Sequence, residues 1–446
     1  MNAWCVAWIP HWRNRTLTFG AAQLRIIEDP SPEAWNRVQR YASWMHLVCV
    51  NERSNVVGDT FCKLRLNSPV GGWFPALQDL SWRIVESNLH YTDLFFYPHL
   101  KRIYIYTPWS WGSSDVSPSI LATIASTISA LPASALQSLS IEVSCDAPPA
   151  YFKDSLSSVV LRCGPSLTEF VSMVPLSDVA VDHLFQLPHL RALRIEGPPP
   201  TYSTSSLPFV LPPLAKIILG GLCPTRRWIS LFQHLEGGAS TTQGMTPLFE
   251  MKKSLKTLSV EDASGLVIDA SFTSPIQIFR NLVHLSVWGH GEGGKGQCTF
   301  KLDNDNVTKL AAALPRLETL FLGGPCIENI CTTTVVCLLQ ISVHCSRLKN
   351  LEIHFNTTSI IDDFKNISND PQLQHLRSSP RCTLSHLFVD QMPLILDEPG
   401  FKTMVNGMID IFPSLERCVG VEDVWNGINE RISELREMRM LPAHRQ

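Results

Sequence analysis

The amino-acid sequence predicts an α/β solenoid, with a curved parallel sheet on the concave face and helices and loops on the convex face. Three observations carry that expectation: a short apolar hexad recurring along most of the chain, helical periodicity between the hexads, and a composition able to bury most of 446 residues. Hydrophobic residues make up 45% and charged residues 17%, the latter below the roughly 25% of an ordinary soluble domain. Wholesale disorder is excluded. A prior of one domain per ~150 residues suggests three domains, but a repeat array of this length forms one continuous unit.

The hexad places an apolar residue, two variable residues, a second apolar residue, one variable residue and a third apolar residue in order, and Pro or a small polar residue often introduces it. Clear copies start at Leu100, Leu136, Leu190, Leu214, Leu255, Leu282, Leu317, Leu348 and Leu384, as in Leu317, Leu320 and Leu322. Weaker copies are Leu77, Leu80, Trp82; Leu167, Phe170, Ser172; and Leu415, Cys418, Gly420. First positions run from 77 to 415, so eleven intervals cover 338 residues, about 31 each. Apolar positions at offsets 1, 4 and 6 include a period-two pair, which is how a half-buried strand reads. Between hexads, Ile120, Ile124, Ile128 and Leu131 keep helical spacing. So do Val179, Leu184 and Leu187; Trp228, Leu231 and Leu235; and Val307, Leu310 and Leu314. Three buried side chains per repeat fall far short of the entropy lost in ordering a whole repeat, so one copy cannot fold alone. Stacked copies share one core.

These hexads resemble the strands of leucine-rich repeats, although their period exceeds the usual ~20–29 residues. The irregular spacing, with no regular Asn ladder, is similar to the F-box-associated leucine-rich repeat proteins abundant in mushroom-forming fungi. The blocks Glu33 to Trp44, Leu176 to Ile195 and Val424 to Arg436 carry the likeness. It implies a solenoid over 35–438, with an N-terminal cap at 35–70 and a C-terminal capping helix at 421–438, followed by a tail at 439–446. Residues 1–34 are then an N-terminal segment, at most a remnant of an F-box, since Met1 to Gly20 carry no Leu-Pro helical module. By the same resemblance the chain is the substrate-recognition part of a cullin-RING ubiquitin ligase receptor, with the adaptor subunit as a second partner where an F-box exists. A repeat scaffold with no ubiquitin link is the alternative.

Alternation along each strand turns the variable positions outward, onto the concave sheet. The outward residues expected to meet a protein partner are Arg102, Tyr104 and Tyr106; Arg194 and Glu196; Trp288; Phe321; Glu352 and His354; and His386, Phe388 and Asp390. Aromatic residues and Arg are the types enriched in interface hot spots. A loop or helix of the same chain packed over the sheet is the competing explanation for such residues.

Catalytic chemistry finds little support. Gly289 to Gly296 reads GHGEGGKG and nearly matches a phosphate loop, with Gly294 and Lys295 in place, but Gly296 stands where Ser or Thr would hold magnesium. The following Gln297 to Leu302 alternate like a strand, so no helix N-terminus is expected to meet a phosphate. A nucleotide hydrolase using Lys295 is thus a remote alternative. Cys326, Cys331, Cys337 and Cys345 with His344 and His354 lack the tight spacing of a metal site, and no Ser- or Cys-based triad can be named. Asp362 and Asp363 read as a solvated helix start or a loop, not as paired acid/base carboxylates. No catalytic residue, metal or cofactor is therefore expected. With 37 basic against 40 acidic side chains the net charge is −3, which gives no electrostatic footprint for nucleic acid. Thirteen cysteines, an odd number with no CxxC pair, fit an intracellular compartment, and Met1 to Arg15 do not read as a signal peptide. The four Asn-x-Ser/Thr triplets, at Asn14, Asn306, Asn356 and Asn366, carry no weight in that setting. No apolar run reaches the ~18 residues of a membrane span.

Overall fold

The computed structural model describes residues 16–18, 31–50, 58–68, 72–84, 91, 94–107, 118–143, 148–196, 212–220, 251–262, 267–289, 299–323, 332–356, 359–377, 382–388, 398–419 and 424–440. The chain falls into two compact units, Met1–Pro212 and Pro213–Gln446, a division that the spacing of the hexads does not mark.

In the first unit the strands are β1 (Thr16–Thr18), β2 (Leu47–Val50), β3 (Asp79–Arg83), β4 (Arg102–Tyr106), β5 (Ser138–Glu142), β6 (Glu169–Ser172) and β7 (Ala192–Glu196). Each pairs in parallel with the next. Helices Pro32–Ala42, Gly58–Leu66, Pro118–Ser129, Ala150–Arg162 and Asp178–Gln186 lie in the connections. In the second unit β8 (Lys216–Gly220), β9 (Thr257–Asp262), β11 (His284–Gly289), β13 (Thr319–Gly323), β14 (Asn350–Ile353), β15 (His386–Phe388) and β16 (Arg417–Val419) are likewise parallel in that order. A separate parallel pair joins β10 (Val267–Ile268) to β12 (Thr299–Phe300). The order of strands and the helices between them make each unit a leucine-rich-repeat array.

All twelve hexads occupy strands, and the register aligns their apolar positions: Leu285 lies between Leu258 and Leu320, and Val287 between Val260 and Leu322. Their described apolar side chains are buried. Two of the third positions, Val389 and Gly420, lie outside the described residues.

What precedes each strand is equally regular. The N–H of the first hexad residue donates to the carbonyl three residues earlier in Leu77, Leu100, Leu136, Leu167, Leu190, Leu282, Leu317, Leu348 and Leu415. Pro75, Pro98, Pro165, Pro188, Pro315 and Pro413 stand at the second position of that turn, where proline's fixed φ suits types I and II. The next residue then donates across the sheet to its counterpart one repeat earlier, as Lys349 does to Glu318 and Ser385 to Lys349. Turn and rung together set the register.

Helix starts follow sequence as well. Ser31 and Ser177 accept from Ala34 and Ala180 backbone N–H, Asp303 from Asn306, and Thr334 from Val336, which are N-caps. Ile120, Ile124, Ile128 and Leu131 are buried as the spacing predicts, as are Val307, Leu310 and Leu314. Val179 departs from it. It sits in the first turn of its helix, 64% exposed, while Ala180, Val181 and Leu184 form the buried stripe. Trp228, Leu231 and Leu235 lie outside the described residues.

The ends differ from the expected boundaries. Helix Pro32–Ala42 begins at its Ser31 cap and so crosses the 34/35 boundary, and β1 pairs with β2 well before residue 35. At the other end helix Val424–Met440 crosses the 438/439 boundary. This helix buries Ile428 and Ile432. Its Asn429 side chain accepts from the Cys418 N–H at 2.7 Å and donates to the Cys418 carbonyl at 2.8 Å. An amide thus satisfies the backbone of the last strand as a further strand would, which blunts an edge open to stray pairing.

Candidate binding face

The side chains opposite the core fall into rows along the strands' shared register. In the first unit one row runs Asp79, Arg102, Ser138, Glu169. A second runs Cys49, Ser81, Tyr104, Ser140, Val171, Arg194, and a third brings Arg83, Tyr106 and Glu142 together. Residues in one row stand one strand apart, about 4.8 Å, so each row is a line of contacts.

Five predicted residues meet here. Arg102 donates Nε and Nη2 to the two carboxylate oxygens of Asp79, both at 2.6 Å. The fork remains mostly exposed, so its worth to stability is small, but it holds the guanidinium in place. Tyr104 and Tyr106 stack with centroids 4.7 Å apart and ring planes 14° apart. The Tyr104 hydroxyl donates to Glu142 Oε2 at 3.3 Å, and Ser140 Oγ donates to Glu142 Oε1 at 3.0 Å. Arg194 Nη2 lies 4.0 Å from Glu196 Oε1. Both tyrosines, Arg194 and Glu196 are half-buried.

Partial burial first, and then the charge of Glu142, push the Tyr104 phenol up to about 12 from an ordinary 10. A raised pKa means that the folded state holds this proton more tightly than the unfolded chain does. The associated stability is complete below about 10 and is lost as pH climbs through about 12. Alkaline titration of tyrosinate absorbance is expected to show Tyr104 ionising later than an ordinary tyrosine, and Glu142→Gln is expected to bring it part of the way back.

In the second unit Phe321, Glu352 and Phe388 share a row. Two strand steps would separate the flanking residues by roughly 9.6 Å, yet the two rings meet edge-on with centroids 5.5 Å apart. The rings lean together across Glu352. His386 adds to the group, its ring centroid 6.5 Å from that of Phe388. Trp288 shares a row with Glu261 and Gly323, half-buried.

Glu352 and His354 correct the expectation that every outward position meets solvent, since each is only 5% exposed. The aromatic pair covers the first. The second packs its ring 5.7 Å from Phe300 of β12 and against Gly323, where an added Cβ would lie 2.7 Å from His354 Nε2. The absent side chain at Gly323 makes the room. Asp390 lies outside the described residues.

Sequence reasoning passed over Ser140 and Glu142, which organise the tyrosines, together with Asp79, Ser259 and Glu261. The signal for the two serines and two glutamates is a Ser-x-Glu pair at the two variable positions flanking the third apolar residue of a hexad, visible at Ser140 to Glu142 and at Ser259 to Glu261.

The other chemical candidates have plain positions. Of the glycine-rich loop only Gly289 is described, at the end of β11. Strand β12 stands between the loop and helix Asn304–Ala313, so the nearest following helix N-terminus is occupied by its own Asp303 cap. Cys326, Cys331 and Lys295 lie outside the described residues. Cys337 and Cys345 are fully buried, and the Cys345 thiol donates weakly to the carbonyls of Ala311 and Leu314. Burial raises that thiol to about 12, which keeps it in the unreactive protonated form. Asp362 and Asp363 occupy the first turn of helix Ile360–Asn369, one paired with Lys365 and the other accepting from Ser359. Among the described residues no three His, Cys, Asp or Glu side chains converge as a metal site, and no helix is long and apolar enough to cross a membrane.

No protein-family model and no curated protein matches the sequence. Among solved structures the chain is similar to the leucine-rich repeat-containing protein LegL7 from Legionella pneumophila, at 9% identity and a TM-score of 0.31, over 87% of this chain and 97% of that one. The repeat assignment rests on the strand register within each unit, not on that likeness.

Proposed function

We propose that this chain is a non-catalytic protein-binding module whose outward sheet residues hold a protein partner, and that it is the substrate-recognition part of an F-box-like cullin-RING ubiquitin ligase receptor. One observation carries the binding half: the row-forming aromatics Tyr104, Tyr106, Trp288, Phe321 and Phe388 stay partly open to solvent on the face opposite the core. Aromatic side chains in such a position are costly to leave wet and supply large contact area at low entropic cost. The ligase half rests on the resemblance of the hexads and their flanking blocks to F-box-associated repeat proteins. In that role the ubiquitin chemistry takes place on other subunits, in an intracellular compartment, and this chain contributes no catalytic residue.

Two measurements separate the halves. A photo-crosslinking amino acid at Tyr106 is expected to capture a discrete protein in the native cell extract, whereas the same group at Val179, exposed on a helix, is not. Capture at Val179 alone would place binding elsewhere. Co-purification of the cullin-RING adaptor with the chain supports the receptor role, and a captured partner without adaptor leaves a scaffold with no ubiquitin link.

A further inference from the structure

Where the strands of the second unit begin, the sequence keeps placing cations. Residues 251–257, 279–284, 314–319 and 345–350 form the turns and first rungs of β9, β11, β13 and β14, which are neighbours in that order. They hold seven lysines and arginines against one acid, Glu318. Lys349 is paired with that acid, its Nζ 2.8 Å from Glu318 Oε2. Lys349 first, then His284 and Arg347 at a distance, hold the Glu318 carboxyl below its ordinary range. Four cations stay open. Lys256, Arg280, Arg316 and Arg347 are exposed, and among the described residues their side chains form no salt bridge and no hydrogen bond.

A positive charge near a helix C-terminus is favourable, which would give such cations an internal role. The hydrogen bonds show what that role looks like when it is filled. In the first unit Arg162 donates Nη1 to the Leu131 carbonyl at 3.3 Å and Nη2 to that of Ser129 at 2.6 Å, closing helix Pro118–Ser129. In the second unit the carbonyls of Ala311 and Leu314, at the end of helix Asn304–Ala313, already take the Cys345 thiol and the N–H groups of Leu314 and Leu317. Arg316 is not needed there. Nor do the cations support one another. Arg316 and Arg347 hold equivalent positions, each directly before the first hexad residue, roughly 4.8 Å apart at the backbone. Like charges side by side on neighbouring strands are destabilising, so folding tolerates this strip without drawing on it.

We infer that the strip, along the edge of the second unit where the strands begin, is a second interaction surface whose occupant is a short Asp- or Glu-rich segment of a protein partner. Two magnitudes select that occupant. Four strands span three spacings, roughly 14 Å, the length of about four residues of extended peptide. Seven cations less one acid give the strip +6, so a chain total of −3 leaves −9 on everything else. A polynucleotide or an anionic bilayer overhangs so small a strip and meets that acidic remainder, which repels it. A short segment does not. This surface goes beyond the reading of the outward sheet residues and does not rest on it.

The test is fluorescence anisotropy of a labelled hexaglutamate peptide with the full chain at low salt, where exposed charges are least screened. Two variants run beside it. Arg280→Gln/Arg316→Gln/Arg347→Gln removes charge from the strip, and Arg37→Gln/Arg40→Gln/Lys101→Gln removes as much from exposed positions of the first unit. The strip variant is expected to bind hexaglutamate roughly threefold to a hundredfold more weakly, while the control variant keeps the native affinity and hexaglutamine binds neither. Thermal melting gives a second readout, with the strip variant melting no lower than the native chain because it relieves repulsion. No binding of hexaglutamate, or equal weakening by both variants, would overturn the inference. A strip variant that melts several degrees lower would overturn it too, by making the cations supports for the helix ends. Polyadenylate RNA, or vesicles of phosphatidylcholine with phosphatidylserine, held through the strip more tightly than hexaglutamate would overturn the acidic segment as its occupant.

Discussion

Leu285→Asp is expected to unfold the second unit, whereas Ser286→Asp, one residue along the same strand, is expected to leave it folded. Leu285 is fully buried between Leu258 and Leu320. Its replacement forfeits about 2–3 kcal/mol of apolar burial and places a carboxyl group among hydrocarbon with nothing to pair it. That adds several kcal/mol whether the group ionises or is forced to stay protonated. The sum rivals the whole stability of about 5–15 kcal/mol that an ordinary domain has. Ser286 faces the other way and is partly open, so its substitution should change stability by no more than about 1 kcal/mol. Urea unfolding followed by far-ultraviolet circular dichroism distinguishes the two. Equal losses would mean that the strand does not alternate as its burial implies.

Trp82→Ala carries the next largest expected loss, about 3–5 kcal/mol from the first unit. The indole sits at the centre of an aromatic cluster, its ring centroid 4.9 Å from that of Phe95 and 5.7 Å from that of Phe61, while Phe74 stacks on Phe95 at 5.1 Å. Alanine leaves a cavity that these rings cannot refill without leaving their rotamers. Trp82→Phe is a sharper probe. The buried Trp82 Nε1 has no hydrogen-bond partner among the described residues, so phenylalanine removes an unsatisfied donor while keeping most of the ring contact, at a cost under about 1.5 kcal/mol. A loss as large as that of alanine would show that the indole N–H is bonded after all.

The hexads were legible because burial leaves a strict mark: Leu, Ile and Val recur at offsets 1, 4 and 6 wherever a strand enters the core. Strand β2 escaped that reading. Its first position is Met45, only half-buried, and its core residues Val48 and Val50 lack the leucine that opens the other copies. Strand β1, three residues long, offers too short a pattern to detect. The division into two units is equally silent in the sequence, since the step from Leu190 to Leu214 is an ordinary interval. On the outward face of the sheet, alternation was enough to name Tyr104, Tyr106 and Arg194. It could not foresee that Phe321 and Phe388 close over Glu352, because a contact between rings two strands apart depends on rotamers and on register, which one strand's sequence does not contain. Nor could it foresee that Gly323 admits the His354 ring, a consequence of which residue stands one strand away.

Labelling by a thiol reagent tests the central claim most directly: the hexad residues form the core and the residues between them form the exposed face. Cysteine would be placed singly at each position of β4, Arg102 to Tyr106, and at Thr319 to Leu322 of β13, and its reaction followed above the background of the native thiols. Fast labelling at Arg102, Tyr104, Tyr106, Thr319 and Phe321, with slow labelling at Ile103, Ile105, Leu320 and Leu322, is the pattern that parallel strands over a shared core require. Rates that are uniform, or that repeat every three to four residues as on a helix, would contradict it and remove the proposed binding face with it.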